Sequence, residues 1–174
     1  MNVTLRLIDE NDLHTLHQWL NREHLFPFYM QEPISIEAVF DKFKPRVGGK
    51  QKTKCLFASL DGKPFGYAQW YMNRSYPDYG ASTIGREQGF SIDYFIGETS
   101  FLGKSLGSLM LKQLIEQIFP ILEAKDKVAF IGHDNRNERA IRCTKRAGFV
   151  KDKVFTENGK DCTLFSSRVQ RSEV

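Results

Sequence analysis

No stretch of this chain approaches the roughly 20 consecutive apolar residues that a membrane-spanning helix needs. The opening MNVTLRLIDEND also lacks the basic-then-apolar order of a secretory signal, so a cytoplasmic protein without a membrane partner is expected. Cysteine is scarce. Cys55, Cys143 and Cys162 are odd in number and form no C-x-x-C pair, which argues against a disulfide framework and a thiolate zinc site. The histidines (His14, His17, His24, His133) are scattered, and no carboxylate completes the His14/His17 spacing, so no metal is expected. Basic runs are short despite a net charge of +4, and RCTKRAGF is the densest patch. A small phosphorylated ligand accounts for that patch, and no nucleic-acid partner is expected.

What is present suffices for a core. Hydrophobic residues make up 41% of the 174 positions and include 14 Phe, which fits one domain over residues 1–174. VTLRLI (3–8) reads as a strand, and Asp9 is positioned to cap a helix with Leu13, Leu16, Trp19 and Leu20 on its apolar face. Ser35 caps a second helical pattern, followed by a hairpin around Asp61-Gly62. Residues 73–88 carry turn formers without a period and read as a long surface loop. GFSIDYFIG (89–97) is strand-like and sets Asp93 on the face opposite Phe90, Ile92, Tyr94 and Ile96. A helix with Leu106, Leu109, Met110, Leu114 and Ile118 on one side follows, then the strand KVAFI. Asn137 caps a last helix ending at Gly148, and a hairpin around Asn158-Gly159 closes the chain. The order describes an α+β domain with a mixed sheet.

The stretch SFLGKSLGSLML places Gly103, Lys104 and Gly107 at the bare start of that long helix. Unpaired N–H groups there, with the positive end of the macrodipole behind them, suit an anion, and a phosphate fits best. Shaping a turn and a tight helix contact is the alternative use of the two glycines.

The segments GFSIDYFIG, SFLGKSLGS and NERAIRCTKRAGF together resemble the GCN5-related N-acetyltransferase (GNAT) superfamily, with the order of elements agreeing along nearly the whole chain. Within it the chain is most similar to the aminoglycoside 6'-N-acetyltransferases, through Trp19-Leu20-Asn21, Gly66-Tyr67-Ala68-Gln69, Ser91 to Phe95 and Arg139 to Phe149. The resemblance implies a mixed, mostly antiparallel sheet with splayed parallel central strands and flanking helices. It also implies acetyl-CoA as cosubstrate. The coenzyme diphosphate would sit on backbone N–H groups of Leu102, Gly103, Lys104, Ser105, Leu106, Gly107 and Ser108, although Ser100 and Ser105 depart from the superfamily's Gln/Arg-x-x-Gly-x-Gly/Ala form. Its pantetheine arm would bond backbone groups of Tyr94, Phe95 and Ile96, with KVAFI as the opposite wall and Asn137 close to the arm.

Asp93 matches the family carboxylate that takes a proton from the acceptor ammonium. Asp93, Asp78 and Glu98 are the candidate acceptor-binding carboxylates, with Glu157 and Asp161 able to converge on them, while Arg74 and Arg86 offset Asp78 and Glu87. Thr144 stands where many family members carry a tyrosine. An aliphatic hydroxyl is a poor acid, so Thr144 is expected to satisfy a helix carbonyl and water to protonate the departing thiolate. The expected partner is a small-molecule amine, most closely the 6'-amino group of an aminoglycoside, and the expected state a monomer or homodimer. A siderophore-type acyltransferase is the runner-up, disfavoured because its relatives usually carry His at position 93. A coenzyme-A-binding module without turnover is the third reading, prompted by Ser100, Ser105 and Thr144.

Overall fold

A computed structural model describes residues 2–30 and 32–170, so both ends of the expected domain lie outside the described residues. The chain runs β1 (Val3–Leu7), α1 (Asp12–Leu20), α2 (Phe26–Tyr29), α3 (Ile36–Phe43), β2 (Lys54–Leu60), β3 (Lys63–Met72), α4 (Pro77–Tyr79), β4 (Phe90–Ile96), α5 (Leu106–Ile118), β5 (Val128–Asp134), α6 (Glu138–Arg146), β6 (Val150–Glu157) and β7 (Lys160–Arg168). Seven strands form one sheet in the order β1-β2-β3-β4-β5-β7-β6. Every neighbouring pair is antiparallel except β4 and β5, which run parallel. The expected α+β architecture with a parallel centre is therefore present. No described helix is long and apolar enough to cross a membrane.

Local chemistry explains most boundaries. Ser35 Oγ accepts from Ala38 N at 3.2 Å and Asn137 Oδ1 from Ala140 N at 3.2 Å, each satisfying an otherwise unpaired donor of a first turn, a contribution of about 1 kcal/mol. Both hairpins turn on two consecutive left-handed residues, Asp61-Gly62 and Asn158-Gly159, the geometry that matches strand twist.

Three expectations change. Helix α1 begins at Asp12 rather than after Asp9, because Asp12 Oδ2 accepts from Asp9 N at 2.8 Å and pairs with Arg6 at 2.6 Å. Asp9 still serves the turn that leads into α1, its Oδ1 accepting from Asn11 N at 2.8 Å while Asp12 reaches back to Asp9 N. Residues 73–88 do not form a plain surface loop: they fold into α4 and a π-helical turn over Gly80–Ile84, burying Asn73, Thr83 and Ile84. On α5, Leu109 is exposed and Leu111 takes its place in the core.

Two apolar layers flank the sheet. On one face Leu13, Leu16, Trp19, Leu20, Val39 and Phe43 of α1 and α3 pack on Phe57, Tyr67 and Phe95. On the other, Leu106, Met110, Leu111, Leu114 and Ile118 of α5 pack on Leu56, Ala68, Trp70, Phe90 and Ile92. The alternation of β4 side chains thus fills both layers.

Trp19 locks α1 onto the end of β4. Its Nε1 donates to Glu98 Oε1 at 2.8 Å, and its ring leaves so little room that a Cβ on Gly97 would lie 2.1 Å from Cδ2. Gly97→Ala must push the indole off Phe57 and Phe95, so it should lower the unfolding free energy by about 2 kcal/mol or more in urea titrations. An unchanged midpoint would mean that the indole moves aside without cost.

Candidate active site

The parallel pair at the centre is short. Strands β4 and β5 pair only through Phe90 with Ala129 and Ser91 with Phe130. Beyond Ser91 a gap opens between them. Gly89 O accepts from Asn73 N and Gly97 N donates to Phe65 O, so odd-numbered residues of β4 turn their backbone groups toward β3. By alternation the N–H and C=O of Tyr94 and Ile96 face the gap, whereas those of Phe95 are committed to β3. His24 Nε2 already reaches Ile96 O at 2.8 Å, and a carbonyl can only accept, so Nε2 carries the proton.

The gap continues into a groove walled by Phe101, Leu102, Gly103 and the start of α5, with α6 opposite. Gly103 (φ 76°) and Ser105 (φ 59°) are both left-handed, the kind of backbone that gathers successive N–H groups into an anion-binding concavity. Arg139, Arg142 and Arg146 line the same groove, three and four residues apart on one face of α6. Arg146 donates to Ser105 Oγ at 3.2 Å and Arg142 to Glu138 at 3.0 Å. Gly107 lets the helices close up, since a Cβ there would lie 2.6 Å from Cys143 Sγ. Cationic side chains, bare amides and an open strand edge along one groove suit a long ligand with a phosphorylated end.

A second cavity meets this groove along His24, Leu25, Tyr94, Phe95, Asn137 and Ala140, which line both. Asp93 lies within it. Gln69 Nε2 donates to Asp93 Oδ2 at 2.8 Å, and Tyr67 OH donates to Gln69 Oε1 at 2.8 Å, which fixes the orientation of the amide. Burial pushes the Asp93 carboxyl above its ordinary range, while the Gln69 bond, Lys42 and Arg46 pull it back. Glu157, at the rim, is raised too, first by desolvation and then by the Asp93 charge. Tyr71 and Tyr79 are raised by burial and by the same carboxylate. Lys42 and Lys160 also line the cavity, and Asp134 is neutralised by Arg136 at 2.6 Å.

Comparison with known proteins agrees with this layout. Residues 9–156 match the acetyltransferase (GNAT) domain family. The chain belongs to the GNAT acetyltransferase family. Two curated relatives, the aminoglycoside N(6')-acetyltransferases type 1 of Klebsiella pneumoniae and Serratia marcescens, are each 34% identical over 161 residues, covering 89% of this chain and 77% of theirs. A solved structure of AAC(6')-Ib with parmomycin and acetyl-CoA aligns with a TM-score of 0.84 at 29% identity, covering 97% of this chain and 94% of that one. A second, of AAC(6')-Ib with coenzyme A and kanamycin, aligns with a TM-score of 0.82 at 29% identity, covering 96% of this chain and 95% of that one.

Within the GNAT frame, several sequence candidates fall together and others do not. Tyr94, Phe95, Ile96, Leu102, Gly103, Ser105, Leu106, Gly107, Ser108 and Asn137 all line the groove. Lys104 is exposed at its edge, with Nζ over the Phe101 ring. Asp78 is exposed on α4 and lines neither cavity; its neighbour Tyr79 does. Glu98 lines neither cavity: Trp19 and Arg22 occupy both its oxygens, and the Trp19 bond holds its carboxyl below the usual range. Asp161 likewise lines neither cavity. Thr144 is fully buried and bonds no helix carbonyl; its Oγ1 lies 2.9 Å from Tyr94 OH and 2.7 Å from His133 Nε2. Among the described residues no group of His, Cys, Asp and Glu is arranged to hold a metal.

RCTKRAGF already ties Arg142 and Arg146 to a phosphorylated ligand, but Arg139 and the row the three form on α6 go unrecognised in the sequence, as does the Gln69 and Tyr67 support. The arginine row was detectable from its three-and-four spacing, whereas Gln69 meets Asp93 only through the β3–β4 register.

His133 gives a checkable consequence. Burial lowers its pKa from 6.5 to about 4, so the folded protein binds this proton less readily than the unfolded chain does. Its contribution to stability is complete above about pH 6.5 and should be lost as the pH falls toward 4. NMR titration should find the His133 imidazole, identified by its absence in His133→Gln, still neutral at about pH 5. Titration of the His133 resonance near 6.5 would contradict the buried environment.

Proposed function

We propose that this chain transfers the acetyl group of acetyl-CoA to a primary amine of an aminoglycoside, at the 6' position. One observation carries the reading: a desolvated carboxylate, Asp93, stands in a cavity that meets a phosphate-suited groove along the open edge of β4. The names of the curated relatives and the ligands of the aligned AAC(6')-Ib structures support the same substrate pair.

The chain's own groups divide the work. Amides from Gly103 to Ser108, with Lys104, Arg139, Arg142 and Arg146 around them, hold the diphosphate, whereas the Leu102 amide is already spent on Thr99 O at 3.1 Å. Backbone groups of Tyr94 and Ile96 hold the pantetheine arm as an added strand, and Asn137 borders it. An ammonium cannot attack a thioester, so the acceptor must first lose a proton, and Asp93 takes it. Burial makes Asp93 a stronger base, and Gln69 keeps one carboxylate oxygen occupied so that the other faces the amine. Glu157 adds negative charge for a second ammonium group. A second reading, an amine with fewer positive charges, is favoured by Lys42 and Lys160 on the walls of the same cavity.

Thiol release from acetyl-CoA with kanamycin, ribostamycin and simple mono- and diamines separates the two readings, and NMR of the product locates the acetyl group. Turnover only with the simple amines would exclude the aminoglycoside.

Asp93→Asn should lower kcat/KM by two to four powers of ten, as estimated for the loss of a general base, with acetyl-CoA affinity near wild type. Equal turnover of the two proteins at neutral pH would remove Asp93 from the mechanism. The acid limb of kcat/KM should lie above the ordinary Asp value of 3.8, because a raised pKa keeps the base protonated to higher pH. Lys42→Met should move that limb further up, since a cation favouring the carboxylate is gone.

Gly103→Val forces a β-branched residue into φ 76° and points its side chain into the open space of the groove. Calorimetric affinity for acetyl-CoA should fall at least tenfold, by about 1.4 kcal/mol or more. Unchanged affinity in the folded variant would move the diphosphate elsewhere.

A further inference from the structure

Groups able to act where the two cavities meet are few. Of the six residues that line both, only His24 and Tyr94 carry a side-chain donor with a titratable proton. The Nε2 proton of His24 is spent on Ile96 O. Tyr94 OH sits at the end of a hydrogen-bonded chain: Thr144 Oγ1 lies 2.9 Å away, and His133 Nε2 lies 2.7 Å beyond that. A carbonyl, Ala140 O, also lies 3.2 Å from Tyr94 OH.

We propose that Tyr94 is a further catalytic residue of the acetyl transfer, its hydroxyl donating a hydrogen bond to the departing coenzyme sulfur while Thr144 positions it. This role rests on the acetyl-transfer reading above. Tyr94 OH donates to Ala140 O at 3.2 Å; with His133 Nε2–H assigned as donor to Thr144 Oγ1 and Thr144 O–H as donor to Tyr94 Oη, that long bond is the one the phenol proton exchanges for the coenzyme sulfur. The carbon–sulfur bond breaks with its electron pair remaining on sulfur, and the negative charge develops beside a donor already in place. Tyr94 keeps its proton throughout. Burial pushes this phenol well above its ordinary range, so it hands no proton to a thiolate and acts as a fixed donor. The amine nitrogen gives up one proton to Asp93 before attack and a second as the amide forms. Through water, the second balances the proton that the released thiolate takes up.

The geometry also gives Thr144 a task that a general acid at its position would not have. Without its O–H the phenol has Ala140 O as its remaining partner and turns away from the groove. Thr144 is therefore a positioning residue, and serine can replace it where valine cannot.

The test uses steady-state thiol release with acetyl-CoA and the ionisation of the bound coenzyme A thiol, followed as thiolate absorbance against the free enzyme to subtract the three cysteines. Tyr94→Phe should lower kcat about 10- to 100-fold with KM for acetyl-CoA within about threefold. It should raise the ionisation midpoint of bound coenzyme A by about one pH unit. Thr144→Val should lower kcat about 5- to 20-fold, and Thr144→Ser should restore it to within about twofold of wild type. Wild-type kcat and an unchanged thiol midpoint in Tyr94→Phe would overturn the proposal. Thr144→Ser as slow as Thr144→Val would overturn the positioning role. Failure of the wild type to acetylate any amine, with coenzyme A still bound, would sink the functional reading, while the thiol midpoint would still decide the role of Tyr94. Absence of coenzyme A binding by the wild type would end both.

Discussion

The parting of β4 from β5 after Ser91 is the constraint on which the rest depends. Each strand is held by its outer neighbour, β4 by β3 from Phe90 to Ile96 and β5 by β7 from Val128 to Asp134, so neither needs the other to stay extended. The inner edges are left with backbone donors and acceptors that must find partners, because an unpaired buried amide costs as much as a lost hydrogen bond. A ligand that can lie between the strands gains from that need. The single sheet therefore presents strand edges in its middle as well as at its rims, β1 and β6.

Charge is sorted along the same line. The groove carries three arginines and a run of bare amides, while the other cavity carries Asp93 and Glu157 with Lys42 and Lys160 on its walls. The separation lets one site attract an anion and the other a cation without mutual neutralisation. Asp134, the third carboxylate of the second cavity, is paired with Arg136 and adds little to its field. Burial then does opposite things to neighbouring groups: it makes Asp93 more basic and keeps His133 and Tyr94 uncharged.

Where structure follows from a local rule, it was legible in the sequence. Ser35 and Asn137 cap, Asp61-Gly62 and Asn158-Gly159 turn, and the period-two pattern of GFSIDYFIG assigned Asp93 to the face opposite Tyr94. Rules of that kind fail where a side chain has two competing partners. Asp9 and Asp12 both suit a helix start, and the nearby Arg6 decides between them. Residues 73–88 carry Pro77, Gly80 and Gly85, which mask two short helical turns held by burial of Asn73 and Ile84. Glu98 looks like a substrate carboxylate until Trp19, 79 positions away, claims it. Thr144 looks like a surface hydroxyl of α6 until β4 and β5 close over it. The motifs that carried the family resemblance thus mix two duties. Trp19 and Asn21 build the scaffold, whereas Asp93 and the arginines of α6 face the cavities.

The contact of Gly107 with Cys143 has an evolutionary consequence. The separation of α5 and α6 is set by a sulfur resting on bare backbone, so the two positions are not free to drift independently. Shrinking the partner comes first: Cys143→Ala opens the space, and only then does Gly107→Ala fit without prising the helices apart. The reverse order passes through a protein whose groove is widened at the point where its two walls must stay in register. Descendants of this chain should therefore have crossed that pair of sites in one direction, with alanine at 143 preceding any side chain at 107.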